Sequence, residues 1–267
     1  MENNYIDINR RLWNARTAIH FKSDFYRVDE FIEGGNSLQT IELERLGNLN
    51  GKKVLHLQCH FGQDSISLAR MGADVTAVDL SDEAIARAKQ LAAACGEKVR
   101  FICCDLYELP RHLNETFDLV FTSYGVIGWL PDLNRWAEVI STFLKPSGEL
   151  LLVEFHPVVW MFDPDFKYIC YDYFNRETII ETETGTYTDR NAPIELESVC
   201  WNHPTGEVLN SLLAHGLTIK AFDEFDYSPY NCFKQTISCG ENKYRIKHLG
   251  NKIPMVFAVS AVKTGNR

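Results

Sequence analysis

The sequence holds no run of roughly 20 apolar residues, so it offers no membrane span. Its start, Met1-Glu2-Asn3-Asn4-Tyr5, is polar and acidic, unlike a secretory leader. It has no Cys-x-x-Cys pair, and its eight cysteines in 267 residues are too sparse for a secreted disulfide scaffold. They are expected as reduced thiols in a cytoplasmic protein. Structural zinc usually takes two tight ligand pairs. One loose pair, Cys200 and His203, with Cys232 and Cys239 further on, is not expected to hold a metal. A basic excess is also missing: 27 Lys+Arg stand against 36 Asp+Glu, a net charge of -9. That balance argues against nucleic acid as a partner, because phosphates require a basic stripe. Repeats and low-complexity tracts are absent. The 45% hydrophobic and 24% charged residues are ordinary globular usage, which excludes disorder, coiled coil and collagen as global descriptions.

The chain reads as a single domain in four parts. Residues 1–50 form an N-terminal helical cap. Ile8, Leu12, Ala15 and Ile19 fall at helical spacing, with Arg10, Arg11 and Arg16 elsewhere. Gly34-Gly35-Asn36-Ser37 breaks the chain, and Ser37 is placed to cap a helix running to about Leu46. Residues 51–156 then alternate strand and helix. Strands are expected at 54–57, 74–78, 99–103, 117–122 and 149–155, with helices at 63–71, 81–94 and 133–143. Short-looped alternation implies a parallel sheet with helices on both faces. The unbroken Leu150-Leu151-Leu152-Val153 fits a strand buried on both sides. Residues 157–203 are an aromatic, β-rich insertion after the fifth strand, with a hairpin predicted over 178–188 turning near Gly185. Residues 204–267 supply a helix over 205–214 and two last strands, over 217–225 and 255–263.

The chemistry concentrates in Val54-Leu55-His56-Leu57-Gln58-Cys59-His60-Phe61-Gly62-Gln63-Asp64, which leads into Val75-Thr76-Ala77-Val78-Asp79. This is a strand, a tight turn, a helix and a second strand ending in an acid. Open α/β sheets bind ligands at the carboxyl ends of their strands, and N–H groups at a helix start suit anionic or polar groups. Asp79 is placed to accept two hydrogen bonds from a ribose diol. Leu80 follows it at the same strand end. Asp105, ending the third strand, is placed to accept from an adenine amino group, with the Leu106 N–H donating to a ring nitrogen. Asp105 could equally cap a short helix. His56 is expected to be a hydrogen-bonded core or turn histidine.

These residues, with Phe117-Asp118-Leu119-Val120-Phe121 and Phe143-Leu144-Lys145-Pro146-Ser147-Gly148-Glu149-Leu150, resemble class I S-adenosylmethionine-dependent methyltransferases. The resemblance covers about residues 50 to 156 and extends to the ending. It implies a Rossmann-like α/β fold, doubly wound, with a mostly parallel seven-stranded sheet whose last strand is antiparallel. It is closest to small-molecule enzymes of bacterial type. It implies S-adenosylmethionine as cofactor, held by Gln58, Cys59, His60, Gly62, Asp79, Leu80, Asp105, Leu106 and Ser123. The family usually shows an acid followed by Gly-x-Gly-x-Gly. Here His56 takes the acid's place, Gln58 and His60 take two glycine positions, and Gly62 alone remains. Either the methionine tail lies further off or the Gln58 and His60 side chains contact it.

The implied activity is methyl transfer to a small-molecule acceptor by in-line displacement, which requires alignment and exclusion of water. A general base is needed only where the acceptor must lose a proton. Tyr124, after the fourth strand, and His156, ending the fifth, are the catalytic candidates. His156 titrates in the right range for a base, and Tyr124 could position the acceptor. Thr122-Ser123-Tyr124-Gly125 lacks the paired prolines of amino-group nucleic-acid methyltransferases. The insertion could form an aromatic lid, with Trp13, Arg16, His20 and Tyr26 covering the cofactor from the other side. Two readings compete within this frame: a non-catalytic S-adenosylmethionine-binding or regulatory protein, and a protein methyltransferase. A nicotinamide oxidoreductase would need Gly-x-Gly-x-x-Gly, which Gln58-Cys59-His60-Phe61-Gly62 does not supply. The acceptor's identity and the oligomeric state are not encoded in any recognisable motif.

Overall fold

The computed structural model describes residues 4–265. Of the polar start, Met1, Glu2 and Asn3 lie outside the described residues. In chain order the helices and strands are α1 (Asn4–His20), α2 (Val28–Ile32), α3 (Thr40–Leu46), β1 (Lys53–Leu57), α4 (Gln63–Arg70), β2 (Asp74–Asp79), α5 (Asp82–Cys95) and β3 (Val99–Cys103). They continue as α6 (Leu109–His112), β4 (Phe117–Ser123), α7 (Leu133–Phe143), β5 (Leu144–Phe155), β6 (Ile179–Thr184) and β7 (Glu195–Cys200). The chain ends with α8 (Thr205–Ala214), β8 (Leu217–Phe225), β9 (Thr236–Gly240), β10 (Lys243–Ile246) and β11 (Val256–Lys263).

Seven strands form one sheet in the order β3-β2-β1-β4-β5-β11-β8. The five from β3 to β5 are parallel. The last strand of the chain, β11, runs antiparallel to both β5 and β8, as expected. Alternate residues of each central strand face opposite layers. Leu55, Leu57, Val120, Leu150 and Leu152 pack with Trp136, Ile140 and Phe143 of α7. Val54, Val75, Leu119, Phe121, Leu151 and Val153 pack with Ile41 and Leu46 of α3 and Leu68 of α4. Both faces of the sheet are therefore covered, which is why the β5 sequence is apolar without alternation.

Four local expectations are corrected. Ser37 does not cap α3, whose N-cap position is Gln39. The Ser37 hydroxyl instead donates to Asp64 Oδ1 (2.6 Å) and lies 3.0 Å from Ser67 Oγ, a stronger pull than a cap because one partner is a carboxylate. The insertion does not turn back within 178–188. β6 pairs antiparallel with β7, from Ile179↔Cys200 to Thr184↔Glu195, across a connection that begins at Gly185. Gly185 has φ +75°, and a Cβ there would stand 2.5 Å from the Arg190 carbonyl oxygen. A small β9–β10 hairpin intervenes between β8 and β11, where the sequence suggests only a loop. Finally, α1 buries Asn9, Leu12, Arg16, Thr17 and His20 instead of an apolar stripe. Its inward face is polar because it covers the carboxyl ends of the strands, where polar groups await partners.

Candidate active site

The first turn keeps the backbone shape of a glycine turn without its glycines. Gln58 and His60 both adopt left-handed conformations, φ +54° and +50°. An L-residue there costs roughly 1–2 kcal/mol, and local hydrogen bonds offset the cost. The Gln58 amide donates to the Val126 carbonyl (2.8 Å). The His60 N–H donates to Asp79 Oδ2 (2.7 Å), and its ring Nε2 lies 3.0 Å from His20 Nδ1. Gly62 (φ +81°) serves packing, since a Cβ there would stand 2.9 Å from the Phe101 ring and 3.1 Å from Ala88 Cβ.

Asp79 ends β2 and accepts one backbone N–H at each oxygen, from Ser81 (2.8 Å) and from His60. Each carboxylate oxygen retains a free lone pair for a further donor. Burial pushes this carboxyl up to about 6. Asp105 accepts from the Tyr107 N–H (2.6 Å), so it does cap the short turn after β3 while still facing the cavity. Burial raises its carboxyl as well.

The loop after β4 hangs on one carboxylate. Glu154, 2% exposed in β5, accepts from the N–H groups of Gly125, Val126 (2.7 Å), Ile127 (3.1 Å) and Phe155 (2.6 Å). Burial holds it above the usual carboxylate range while these four donors pull it down. Tyr124 (φ +44°) is thereby turned so that its hydroxyl donates to Glu42 Oε2 (2.9 Å). Glu42 is fully buried and pushed up to about 8, chiefly by that burial and next by the charge of Asp64.

A single cavity of about 1110 Å³ joins these features. All nine residues expected at the cofactor, Gln58, Cys59, His60, Gly62, Asp79, Leu80, Asp105, Leu106 and Ser123, line it, and so does Tyr124. His156 does not. It is 4% exposed, its Nδ1 accepts from the Val158 N–H (3.2 Å) and its Nε2 lies 2.9 Å from Glu224 Oε1. Burial lowers its basicity, with Glu224 pulling the other way. His156 is thus turned toward β8, away from the chamber. Trp13, Arg16 and Tyr26 line the cavity from the N-terminal side. His20 is fully buried behind His60. His56 is a buried histidine bonded through Nδ1 to Ser65 Oγ (2.8 Å), and burial lowers it to about 3.

Several lining residues escaped the sequence reading. Tyr5 and Asn9 look like surface positions of an amphipathic helix, yet the Asn9 side chain exchanges two hydrogen bonds with the Val199 backbone (2.8 and 3.0 Å). Asp64 reads as an ordinary first-turn acid of α4, and Tyr230 as a loop residue after a proline. Nothing local marks them, because their partners come from distant segments.

A general methyltransferase-domain profile matches residues 54–148. An uncharacterized methyltransferase of Synechocystis is 34% identical over 164 residues, 60% of this chain and 74% of that protein. The chain belongs to the class I S-adenosylmethionine-dependent methyltransferases. The mitochondrial ubiquinone biosynthesis O-methyltransferase of Bos taurus is 26% identical over 236 residues, 85% of this methyltransferase and 58% of the bovine protein. The chain thus spans little more than half of that relative. Among solved structures, DhpI in complex with SAH superposes with a TM-score of 0.61 at 18% identity, covering 100% of both chains. An S-adenosylmethionine-dependent methyltransferase from Mesorhizobium loti gives 0.57 at 21% identity, covering 87% of this chain and all of that one. Both likenesses concern the fold.

The residues of this methyltransferase fit its cofactor, S-adenosylmethionine. Asp79 has acceptor capacity left for a diol. Gln58 Oε1 is a buried acceptor with no partner among the described residues, and such an atom is costly unless a donor reaches it. Ligand N–H and O–H groups supply donors of that kind.

Proposed function

We propose that this methyltransferase acts on a small-molecule acceptor by in-line displacement, with the cofactor over the turn from Gln58 to Gly62 and the acceptor beyond Tyr124. S-adenosylmethionine supplies a methyl group on a positively charged sulfur that leaves as a neutral thioether. The chain's own residues have two tasks, alignment and exclusion of water. Asp79 and Asp105 fix the adenosine end, and the Glu154-anchored loop sets Tyr124 and Gly125 at the far end. Trp13 meets Trp129 edge to face (5.4 Å), which closes α1 over the loop after β4.

The cavity carries this reading. At about 1110 Å³ it exceeds the roughly 300–1,000 Å³ of ordinary single-ligand sites, as expected of two ligands side by side. It lies under α1 and the β6–β7 hairpin, an arrangement that suits a small acceptor better than a protein segment or a nucleic acid. Eight carboxyl groups against four Arg or Lys in its lining also disfavour a phosphate backbone.

Calorimetric titration with S-adenosylmethionine, S-adenosylhomocysteine and NAD tests the reading. Binding of the first two at about micromolar Kd, lost in Asp79→Ala, is the expected result. Failure of folded wild-type protein to bind either would remove it.

A further inference from the structure

We propose that the chamber beyond β4 is an ammonium site, and that the acceptor is an amine bound there in its protonated form. This rests on the methyltransferase reading and adds the substrate class.

Three side chains from three separate segments line it: Asp64 of α4, Tyr124 after β4 and Tyr230 after β8. The fully buried Glu42 of α3 lies behind Tyr124, whose hydroxyl it accepts. The side-chain partners of the two acids are all hydroxyls. Asp64 accepts from Ser37 Oγ (2.6 Å) and Ser123 Oγ (3.1 Å), and Glu42 from the Tyr124 hydroxyl. Glu42 Oε1 has no partner among the described residues. The leading charge effects on Glu42, Tyr124 and Tyr230 come from one another and from Asp64. Buried carboxylates are normally paired with a cation, and Asp64, with only hydroxyl partners, lacks one, while its neighbour Glu42 is held protonated by burial.

The walls suit a cation as well. The Tyr124 ring meets Tyr230 edge to face (5.0 Å) and Phe155 at 5.6 Å, and Phe155 meets Phe233 at 5.1 Å. Aromatic faces attract ammonium groups, more strongly when water is excluded. The site also lies away from the adenosine end. Tyr124 directly follows β4, two strands from β2 with its Asp79, or about 10 Å at the usual strand spacing. An ammonium must lose one proton before its nitrogen can attack. Asp64, which faces the cavity, accepts that proton. The nitrogen lone pair then forms the new C–N bond, and the C–S bonding pair stays with sulfur.

The cofactor's own methionine ammonium is the other source of this chemistry, and the test separates the two. Wild-type protein saturated with S-adenosylhomocysteine is titrated with phenethylamine, phenethyl alcohol and 3-phenylpropionate. Asp64→Asn and Glu42→Gln, both isosteric, are run alongside, with thermal melts to show folding. The proposal expects the amine to bind at least about tenfold tighter than the alcohol. It expects that preference to vanish in Asp64→Asn while S-adenosylhomocysteine affinity stays within about threefold. Equal or tighter binding of the alcohol or the carboxylate overturns it. So does loss of S-adenosylhomocysteine affinity in both variants without an amine preference in wild type, since the acids would then hold the cofactor's tail. If wild type binds no S-adenosylhomocysteine, the methyltransferase reading fails separately. The same amine preference measured on ligand-free protein then decides the ammonium site by itself.

Discussion

His20 Nδ1 lies 3.0 Å from His60 Nε2, so a helix laid over the sheet and the first cofactor turn share one proton between two imidazoles. Both rings are kept neutral by burial, which lowers His20 to about 2 and His60 to about 3. The sign follows from linkage. The unfolded chain takes up protons below about 6.5 while the folded one does not, so the contribution to stability is lost as pH falls from there toward 3. For His20, which is fully buried, the loss between pH 7 and 5.5 is about 1 kcal/mol. Urea unfolding of wild type and His20→Phe at the two pH values should show wild type losing about that much more than the variant. Equal losses would mean that His20 is protonated in the folded state.

Glu42 has the opposite dependence. Its folded carboxyl is raised to about 8 from 4.5, so between these values the folded state holds a proton that the unfolded state has released. Stability therefore falls as pH rises through that window. Glu42→Gln removes the dependence. The variant should match wild type near pH 4.5 and exceed it near pH 8.5 in thermal melts of ligand-free protein. Parallel curves across the window would refute the buried, unpaired state of this acid.

Much of the fold was legible because periodicity and caps report on local energetics. Ser81 caps α5, accepting from the Ala84 N–H, as a polar residue at a helix start should. The acids ending β2 and β3 were legible for the same reason, since strand ends are set by topology. What stayed hidden depends on contacts between distant segments. The inward face of α1 is polar because Asn9 bonds to Val199, 190 residues away, and Arg16 pairs with Glu183 at 2.5 Å. His156 looked like a base from its strand-end position, but strand pairing with β11 and Glu224 of β8 turn its ring aside. Backbone angle was equally invisible: nothing in the sequence states that Gln58 and His60 would accept glycine-like φ values.

Gly62 gives a test of which glycine matters. Its Cβ would meet the Phe101 ring at 2.9 Å with φ at +81°. Gly62→Ala should cost about 2 kcal/mol in urea unfolding through strain and overpacking. Gln58→Gly should move stability by less than about 1 kcal/mol, because relieved strain and a lost hydrogen bond to Val126 nearly cancel. A tolerated Gly62→Ala would mean that α4 can shift against Phe101.

Glu154 is the strongest positioning prediction. Oε1 accepts from Gly125 and Phe155, and Oε2 from Val126 and Ile127. In Glu154→Gln one of these oxygens becomes an NH2 group, and two backbone N–H donors then face a donor. Leaving buried donors unmet costs about 2–4 kcal/mol. The same loop presents the Val126 carbonyl that holds the Gln58 amide, so the damage should reach the cofactor turn. Calorimetry should show S-adenosylhomocysteine affinity falling about tenfold, although Glu154 lies on β5, away from Asp79 at the end of β2 and Asp105 just after β3. Glu154→Asp keeps the charge but shortens the reach, and it should recover part of the stability if acceptor character is what the loop requires. A Gln variant as stable as wild type, with unchanged affinity, would show that the loop after β4 holds its shape without this carboxylate.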